Sequence, residues 1–265
     1  MVTSRARSAA QNPISFEVRW FDTIDSTNTY LAAEASKGAP EGLVAVAQHQ
    51  VAGRGRLGRS WTEPAGSSLL MSVLLRPRLG DDQLFWCSAA LSMSACDASR
   101  AVAGVEAVLK WPNDLLVGTG KLAGVLAERV APPARSQMVP AVVIGIGLNL
   151  NWLDGLPPTA TSLSLHCGHE VDRTAVLEAL IESLAFRYKS LFDPEGLASQ
   201  MADYRTLCAT LGTKVLVTMV GEQFSGTALD VTSEGRLLVE TPNGARVVSA
   251  GDVVHLRPAR KRPGG

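Results

Sequence analysis

The chain has 265 residues, and its 25 basic and 25 acidic side chains give a formal net charge of zero. This length predicts one large domain and a small one, and the balanced charge excludes a surface that is basic throughout for nucleic acid. The longest apolar run, at 69–75, is far shorter than the roughly 20 residues that cross a bilayer.

The N-terminal segment 1–13 contains arginines but no apolar stretch, so it predicts a flexible tail and no secretory signal. The cysteines are scattered without a CxxC pair, at Cys87, Cys96, Cys167 and Cys208. This pattern predicts reduced thiols in a cytoplasmic protein.

Residues 53–61 read GRGRLGRSW and alternate glycines with arginines. Glycine lets the backbone approach a ligand closely. The guanidinium groups of Arg54, Arg56 and Arg59 match phosphate or carboxylate oxygens two at a time. Because the three cations repel one another, we expect a loop that stays loose until a polyanion binds.

A strand is predicted at 15–21, followed by a helix that ends before Gly38 and Pro40. Polar residues with high N-cap preference precede this helix, namely Ser26, Thr27 and Asn28. Helix capping is their structural interpretation.

Strands are predicted on both sides of the glycine and arginine loop. In the first, Leu43–Gln50, two valines are followed on the same face by Gln48 and Gln50. This order predicts a strand that runs out of the core into a polar site. After the loop we expect a buried strand at 68–75, and then a helix rich in small residues that packs tightly on the sheet.

The motif KWPND at 110–114 precedes a predicted hairpin with a glycine-rich turn. The return strand brings Lys121 close to Lys110, Asn113 and Asp114, where cations, an amide and a carboxylate form a candidate binding group. The alternative is that both lysines are solvated surface charges. Gly124 interrupts the return strand and predicts a bulge or the close approach of another group.

The strand at 141–151 has one bulky face and one bare face. Its apolar face carries Val142, Ile144, Ile146, Leu148 and Leu150, and its other face carries Ala141, Val143, Gly145, Gly147, Asn149 and Asn151. Glycines followed by asparagines predict the floor of a pocket. The alternative is that the glycines lie beneath a tightly packed helix.

The C-terminal third changes from helices to short strands. Asp172 is a predicted N-cap for an amphipathic helix that reaches Leu191, and a second helix runs to about Leu207. Five short alternating runs then predict a small barrel of SH3-like size, at 214–220, 224–231, 236–241, 246–249 and 253–256. We therefore predict a catalytic domain at 14–211, and a C-terminal domain with a basic tail at 212–265.

Four other kinds of site are disfavoured. The loop contains the letters GxGxxG, but a dinucleotide fingerprint opens a helix, and here Trp61, Pro64 and Gly66 follow. No GK[ST] for a Walker loop and no GxSxG elbow is present. The group His166, Cys167 and His169 is too small for structural zinc and predicts a polar turn.

Five motifs in order, IDSTN, GRGRLGRSW, KWPNDLL, KLAGVL and GIGLNLN, resemble those of the biotin protein ligase family. The resemblance extends from about Ile14 to the C-terminus. It implies an α+β fold in which helices pack on a mixed β-sheet, as in class II aminoacyl-tRNA synthetases, plus a small SH3-like C-terminal β-barrel.

The resemblance also implies the reaction. Biotin and ATP, with Mg²⁺, would form biotinyl-5′-AMP and pyrophosphate, and the biotinyl group would pass to a lysine of a biotin carboxyl carrier domain of acyl-CoA carboxylases. Some relatives carry an N-terminal DNA-binding domain. About a dozen residues precede the first predicted strand here, so we expect a monofunctional enzyme that binds neither DNA nor membrane, as a monomer or weak homodimer.

Residue roles follow from the motif match. Biotin contacts are implied for Ser26, Thr27, Asn28, Gln50, Arg54, Gly55, Arg56 and Lys121. ATP contacts are implied for Arg54, Arg56, Arg59, Trp61, Lys110, Asn113 and Asn149. The implied catalytic group is Arg56, Lys121, Lys110 and Asp114, with Asp114 as the metal ligand.

Two alternative functions stay open at this point. A lipoate ligase would have the same fold, although GRGRxGRxW with KWPND favours biotin. A module that binds nucleic acid through the arginine loop and the barrel would interleave aromatic and basic residues on the barrel strands. Phe224 is the only aromatic residue there.

Overall fold

A seven-stranded mixed sheet forms the larger part of the computed structural model, which describes residues 14–80, 83–132, 139–249 and 251–256. The predicted N-terminal tail at 1–13 and the basic C-terminal tail at 257–265 lie outside these ranges. The strands are β1 (Glu17–Ile24), β2 (Leu43–Gln50), β3 (Ser68–Leu75), β4 (Val108–Lys110), β5 (Asp114–Val117), β6 (Gly120–Val130) and β7 (Ala141–Asn149). Their order in the sheet is β1-β2-β3-β7-β6-β5-β4, and β1 and β2 pair in parallel while the other neighbours pair antiparallel.

Helices cover both faces of this sheet. They are α1 (Thr27–Ser36), α2 (Phe85–Ala103), α3 (Leu163–Cys167), α4 (Arg173–Ser190) and α5 (Pro194–Leu207). On one face α1 packs on β2, β3 and β7, and its Leu31 shares a core with Val143. On the other face α2 packs between the sheet and α4, and Ile144 belongs to that core. The alternation along β7 therefore assigns its two faces correctly.

Local sequence explains the helix boundaries and packing. Thr174 N donates to Asp172 Oδ1 at 2.8 Å, which confirms the predicted cap of α4. The small residues of α2 are buried, including Ala89, Ala90, Ser94 and Ala98. No helix in the described ranges is long and apolar enough to span a bilayer.

The C-terminal strands form a second, five-stranded antiparallel sheet. They are β8 (Lys214–Met219), β9 (Glu222–Val231), β10 (Leu237–Thr241), β11 (Gly244–Val248) and β12 (Asp252–His255), in the order β11-β10-β9-β8-β12. All five predicted strands are present, so the predicted fold class, with a small SH3-like C-terminal unit, is confirmed. The boundary at 211/212 stays a prediction.

Two buried tryptophans, one on α2 and one in the KWPND turn, hold this small sheet against the rest of the molecule. Trp86 Nε1 donates to Ser233 O at 2.6 Å, and Trp111 Nε1 donates to Gly235 O at 2.9 Å. Both acceptors lie in the turn between β9 and β10. Because indole N–H groups need a partner when buried, these bonds fix how the barrel sits on the strand end that carries KWPND.

Several strand ends differ by one to three residues from the predicted bounds, and two further differences concern α3 and β1. The segment around His166 is the short helix α3 rather than a polar turn, and His166 Nε2 bonds to Thr161 Oγ1 at 2.8 Å. The first strand is β1, which continues to Ile24 instead of ending at 21. Helices of about one turn and strand ends are too short to carry a periodic signal, which is why the sequence pattern missed them.

Candidate active site

A cavity of about 320 Å³ opens over the bare face of β7. Its walls come from the start of α1, the end of β2, the glycine and arginine loop, the KWPND turn, β6 and the edge strand β12 of the barrel. The predicted site residues that line it are Ser26, Thr27, Asn28, Gln50, Arg54, Gly55, Arg56, Arg59, Trp61, Lys110, Asn113, Asp114 and Lys121. Elements far apart in the chain therefore bring these residues together.

One predicted site residue and one predicted glutamine lie elsewhere. Asn149 does not line this cavity, and its Nδ2 donates to Thr161 O at 2.9 Å. Its nucleotide contact stays a prediction. Gln48 accepts from Arg173 on the other side of the sheet, so only Gln50 continues into the polar site as expected.

The start of α1 and the end of β2 form a polar corner of the cavity. Ser26 is the N-cap but makes no side-chain capping bond, so the capping interpretation of its hydroxyl is wrong. Thr27 N donates to Gln50 Oε1 at 2.7 Å, and Thr27 Oγ1 lies 3.0 Å from the same oxygen. Ser26, Thr27 and Asn28 are all buried, yet all three face the cavity.

Two further residues of this corner were not predicted as site residues. Ser72 on β3 is fully buried and donates to Asn28 Oδ1 at 2.6 Å. Glu128 on β6 accepts from Asn28 Nδ2 at 2.9 Å and from Arg54 at 2.5 Å. Ser72 sits inside an apolar run, where nothing distinguishes it from a tolerated core serine. Glu128 follows the KLAGVL motif by two positions, and its odd spacing from Lys121 predicts the opposite face of a regular strand, so the sequence gives no signal for it.

The glycine and arginine loop is closed by its own backbone. Gly55 N donates to Arg59 O at 2.7 Å, and Trp61 N donates to Gly53 O at 3.0 Å. At its tip Leu57 is exposed and has φ 56°, a left-handed conformation that costs energy for any residue except glycine.

Each loop arginine has a partner in the structure, unlike the mutually repelling group that we expected. Arg54 pairs with Glu128 at 2.5 Å, and Arg59 pairs with Asp252 on β12. Arg56 donates to Asn113 Oδ1 at 3.0 Å, so its hydrogen-bond partner is neutral. Burial lowers the pKa of Arg56 from its ordinary value, and the negative charge of Asp114 opposes this effect. Arg56 is the loop cation with the least compensation.

Trp61 fills the space that the glycines of the bare face leave. A Cβ on Gly147 would lie 2.4 Å from Trp61 Cε2, and a Cβ on Gly124 would lie 3.2 Å from Trp61 Cζ3. Lys121 Nζ stands 5.6 Å from the centroid of the indole ring, a cation–π distance. The indole Nε1 is buried without a hydrogen-bond partner among the described residues. The bare face is thus a pocket floor partly covered by Trp61.

The predicted hairpin gathers charge around one carboxylate. Lys121 Nζ lies 2.6 Å from Asp114 Oδ1, and Lys110 Nζ lies 3.9 Å from Asp114 Oδ2. The register of β5 and β6 shifts between Leu115 and Leu116, whereas Gly124 stays paired with Asp114. Of the two possibilities predicted for Gly124, the close approach of another group is therefore the one confirmed, because a Cβ there would lie 3.1 Å from Lys121 Nζ. Lys110 and Lys121 are therefore cavity cations and not solvated surface charges.

The donor set for a metal is small. Within the described residues no three His, Cys, Asp or Glu side chains group together. Two carboxylates, Asp114 and Asp252, line the cavity. Mg²⁺ commonly binds through one or two carboxylates and the phosphates of its substrate, so these residues fit an ion that arrives with a nucleotide.

Comparison with known proteins shows the family of the chain. Residues 20–149 match the biotin/lipoate A/B protein ligase family, and residues 210–256 match the biotin protein ligase C terminal domain. Over 241 residues the chain is 40% identical to a biotin--[acetyl-CoA-carboxylase] ligase of Mycobacterium tuberculosis, covering 88% of this chain and 86% of the relative. A ligase of the same description from Paracoccus denitrificans is 33% identical over 241 residues, covering 86% and 96%.

Solved structures give the same result. A biotin protein ligase from Aquifex aeolicus in complex with biotin and ATP superimposes with a TM-score of 0.76 at 26% identity, covering 91% of this chain and 99% of that one. The two family models match residues of the large sheet and of the small sheet, and one relative is 40% identical over most of both chains. The chain belongs to the biotin protein ligase family.

Proposed function

We propose that the cavity over β7 performs both half-reactions of biotin ligation. In the first, a carboxylate oxygen of biotin attacks the α-phosphorus of ATP, giving biotinyl-5′-AMP and pyrophosphate. In the second, a lysine amine of the acceptor protein attacks the acyl carbon, and AMP leaves. The observation that carries this proposal is the convergence of five cations on one cavity: Arg54, Arg56, Arg59, Lys110 and Lys121.

These cations suit the first half-reaction because it brings two anions together. Preorganised positive charge at the site of developing charge is the largest single contribution in reactions of this kind. We assign Arg56 and Lys121 to the carboxylate and α-phosphate, and Lys110 and Arg59 to the nucleotide. No enzyme nucleophile is required, because the biotin carboxylate is itself the nucleophile.

Mg²⁺ would enter with the nucleotide. Asp114 is the ligand we assign to it, and the ion would neutralise phosphate charge as the pyrophosphate leaves. Lys121 Nζ, which lies 2.6 Å from Asp114 Oδ1, is the group that we assign to the substrate carboxylate.

The loop at 53–61 is assigned the role of a lid. An acyl-adenylate is a mixed anhydride that water hydrolyses, so a loop that orders over it protects it. Trp61 already covers part of the pocket floor and would exclude water from the acyl carbon.

The acceptor and the setting are part of the proposal. The M. tuberculosis relative is described as a ligase for acetyl-CoA carboxylase, which supports a biotin carboxyl carrier domain as the acceptor of this chain too. The described cysteines are all free thiols, which supports a reducing, cytoplasmic location. We propose a monomer or weak homodimer.

A pyrophosphate assay tests the proposal against its nearest rival. Purified enzyme with MgATP should release pyrophosphate when biotin is added, and should release far less with lipoate at the same concentration. Absence of biotin-dependent release would overturn the proposal, and equal release with both acids would identify a ligase that does not discriminate between them. An acceptor carrier domain should then gain the mass of one biotinyl group.

A further inference from the structure

The polar corner of the cavity has fewer protons than close oxygen contacts. Ser72 Oγ lies 2.7 Å from Thr27 Oγ1 and 2.6 Å from Asn28 Oδ1, while Thr27 Oγ1 also lies 3.0 Å from Gln50 Oε1. Each hydroxyl has a single proton to donate. Two protons cannot serve three contacts, so one pair of oxygens faces each other without a hydrogen between them.

The orientation of the Asn28 amide is fixed by its partners. Asn28 Nδ2 is 3.2 Å from Leu126 O and 2.9 Å from Glu128 Oε2, and both are acceptors. The amide nitrogen must therefore point toward β6, and the amide oxygen must point toward Ser72. An amide oxygen accepts only, so Ser72 gives its one proton to Asn28.

The proton of Thr27 then follows. Since Ser72 has no second proton, the 2.7 Å contact requires Thr27 to donate to Ser72. Gln50 Oε1 already accepts from Thr27 N at 2.7 Å, which fixes the oxygen of that amide in place. Thr27 Oγ1 and Gln50 Oε1 are left as two acceptors, 3.0 Å apart.

Two further features show that the fold makes room for the contact between Ser72 and Asn28. A Cβ on Gly145, which pairs with Ser72 in the sheet, would lie 2.2 Å from Asn28 Oδ1 and 2.9 Å from Ser72 Oγ. Only glycine at that position leaves room for the contact. Ser72 itself is fully buried and is not among the cavity-lining residues, so it acts on a substrate through Thr27 and Asn28.

We propose that Ser72 is a specificity-determining positioning residue, whose buried hydroxyl leaves Thr27 Oγ1 and Gln50 Oε1 as paired acceptors for an N–H group of the substrate. This inference rests on the proposed assignment of these residues to biotin. The ureido ring of biotin carries two N–H donors, whereas the dithiolane ring of lipoate has none. A site built to receive an N–H rejects an analogue that lacks it, because its acceptors stay unpaired.

Ser72→Ala tests the proposal through a split in Michaelis constants. Without the Ser72 acceptor, the Thr27 proton turns back to Gln50 or toward the substrate and opposes a ureido N–H. We expect the KM for biotin to rise about tenfold or more, while the KM for ATP and the circular dichroism spectrum stay unchanged. The preference for biotin over lipoate in pyrophosphate release should fall by the same factor.

Ser94→Ala is the matched control. Ser94 is also fully buried and donates to Ala90 O within α2, on the opposite side of the sheet. The same chemical change there should leave the KM for biotin and the biotin preference as they are in the parent enzyme. If Ser72→Ala fails to fold, Ser72→Cys keeps the size with a weaker donor, and its KM for biotin should still rise at least threefold.

Two results would overturn the proposal. One is a KM for biotin within about twofold of the parent in a folded Ser72 variant. The other is a parallel rise of both Michaelis constants, which indicates general loosening of the cavity. If the parent enzyme releases pyrophosphate with biotin, either result contradicts the role of Ser72 but leaves the proposed function intact. If the parent enzyme does not release pyrophosphate with biotin, the proposed function itself is wrong.

Discussion

Arg56 shows how one residue is prepared for an anion. Its two neighbours in the loop each pair with a carboxylate, whereas Arg56 bonds to the amide oxygen of Asn113. A half-buried cation with a neutral hydrogen-bond partner has the most to gain when a carboxylate or phosphate arrives.

Arg56→Ala should therefore slow adenylate formation about a hundredfold or more, the usual cost of one lost transition-state contact. Pyrophosphate release at saturating biotin and ATP measures the effect, and circular dichroism verifies the fold. Arg56→Lys retains the charge without the planar guanidinium, so its rate of adenylate formation should lie between those of the parent enzyme and Arg56→Ala. Arg246→Ala, which breaks an ion pair with Glu222 on the barrel, is the control. Normal turnover of Arg56→Ala would contradict the assigned role.

Glu63 is a second residue with an unusual environment. Both of its carboxyl oxygens are buried without hydrogen-bond partners among the described residues, and burial raises its pKa to about 7. The folded chain therefore holds this proton at pH values where the unfolded chain has released it. The stability that results is fully present below the unfolded pKa near 4.5 and is lost as the pH rises through about 7.

Glu63→Gln should remove this pH dependence. We expect the free energy of unfolding to rise by up to about 3 kcal/mol at pH 8, with a much smaller change near pH 4.5. Urea unfolding at both pH values measures the difference, and Glu178→Gln on the exposed face of α4 serves as control. If the free energy of unfolding rose equally at the two pH values, burial of an ionisable carboxyl group would not be the cause of the increase.

At the scale of elements, the loop at 53–61 combines strain with replaceable contacts. Its tip carries Leu57 in a left-handed conformation, and its arginines reach partners on three different strands or turns. Under the proposed function, a phosphate or carboxylate of the substrate would compete for each of those contacts. The loop is therefore expected to exchange internal partners for ligand when it closes.

Trypsin cleavage after the loop arginines should report this exchange. In the free enzyme the loop should be among the fastest internal sites to be cut, and biotin with MgATP should slow that cleavage at least tenfold. Cleavage after Arg236 and Arg246, on the barrel, should keep its rate and acts as the internal control. Equal loop cleavage with and without ligand would contradict a lid.

Sequence patterns predicted the elements that have a strong period or a clear boundary. β7 and the five barrel strands alternate, α4 begins at a capping aspartate, and the hairpin turns at glycine. The residue roles were predicted from the motif resemblance, because periodicity alone does not indicate the role of a residue. The patterns did not reveal partners such as Ser72, Glu128 and Asp252, because a hydrogen bond between residues 44 to 193 positions apart leaves no local trace.

At the scale of the whole molecule, the barrel is part of the cavity wall. Its strand β12 supplies Asp252 to the cavity, and two buried indole hydrogen bonds hold the turn 233–235 against α2 and the KWPND turn. Thr210 Oγ1 accepts from Trp111 N at 3.0 Å and bonds to His255 Nε2 at 2.9 Å. The end of the barrel is thus linked directly to the segment that carries Lys110 and Asp114.

The pairing of the cavity cations with Asp114, Glu128 and Asp252 also bears on ionic strength. Three built-in counterions leave the five cations with an excess of two positive charges, so ATP meets a weaker long-range field than the arginine loop alone would create. Between 50 and 300 mM KCl the KM for ATP should therefore change by no more than about threefold. Asp252→Asn removes one counterion and should steepen that dependence, which steady-state kinetics across a salt series will measure. If the salt dependence of the KM for ATP were unchanged in this variant, Asp252 would not offset the charge of Arg59.

The acidic side chains of the cavity thus serve as its counterions. The empty site can therefore keep its charged side chains without recruiting anions from solution.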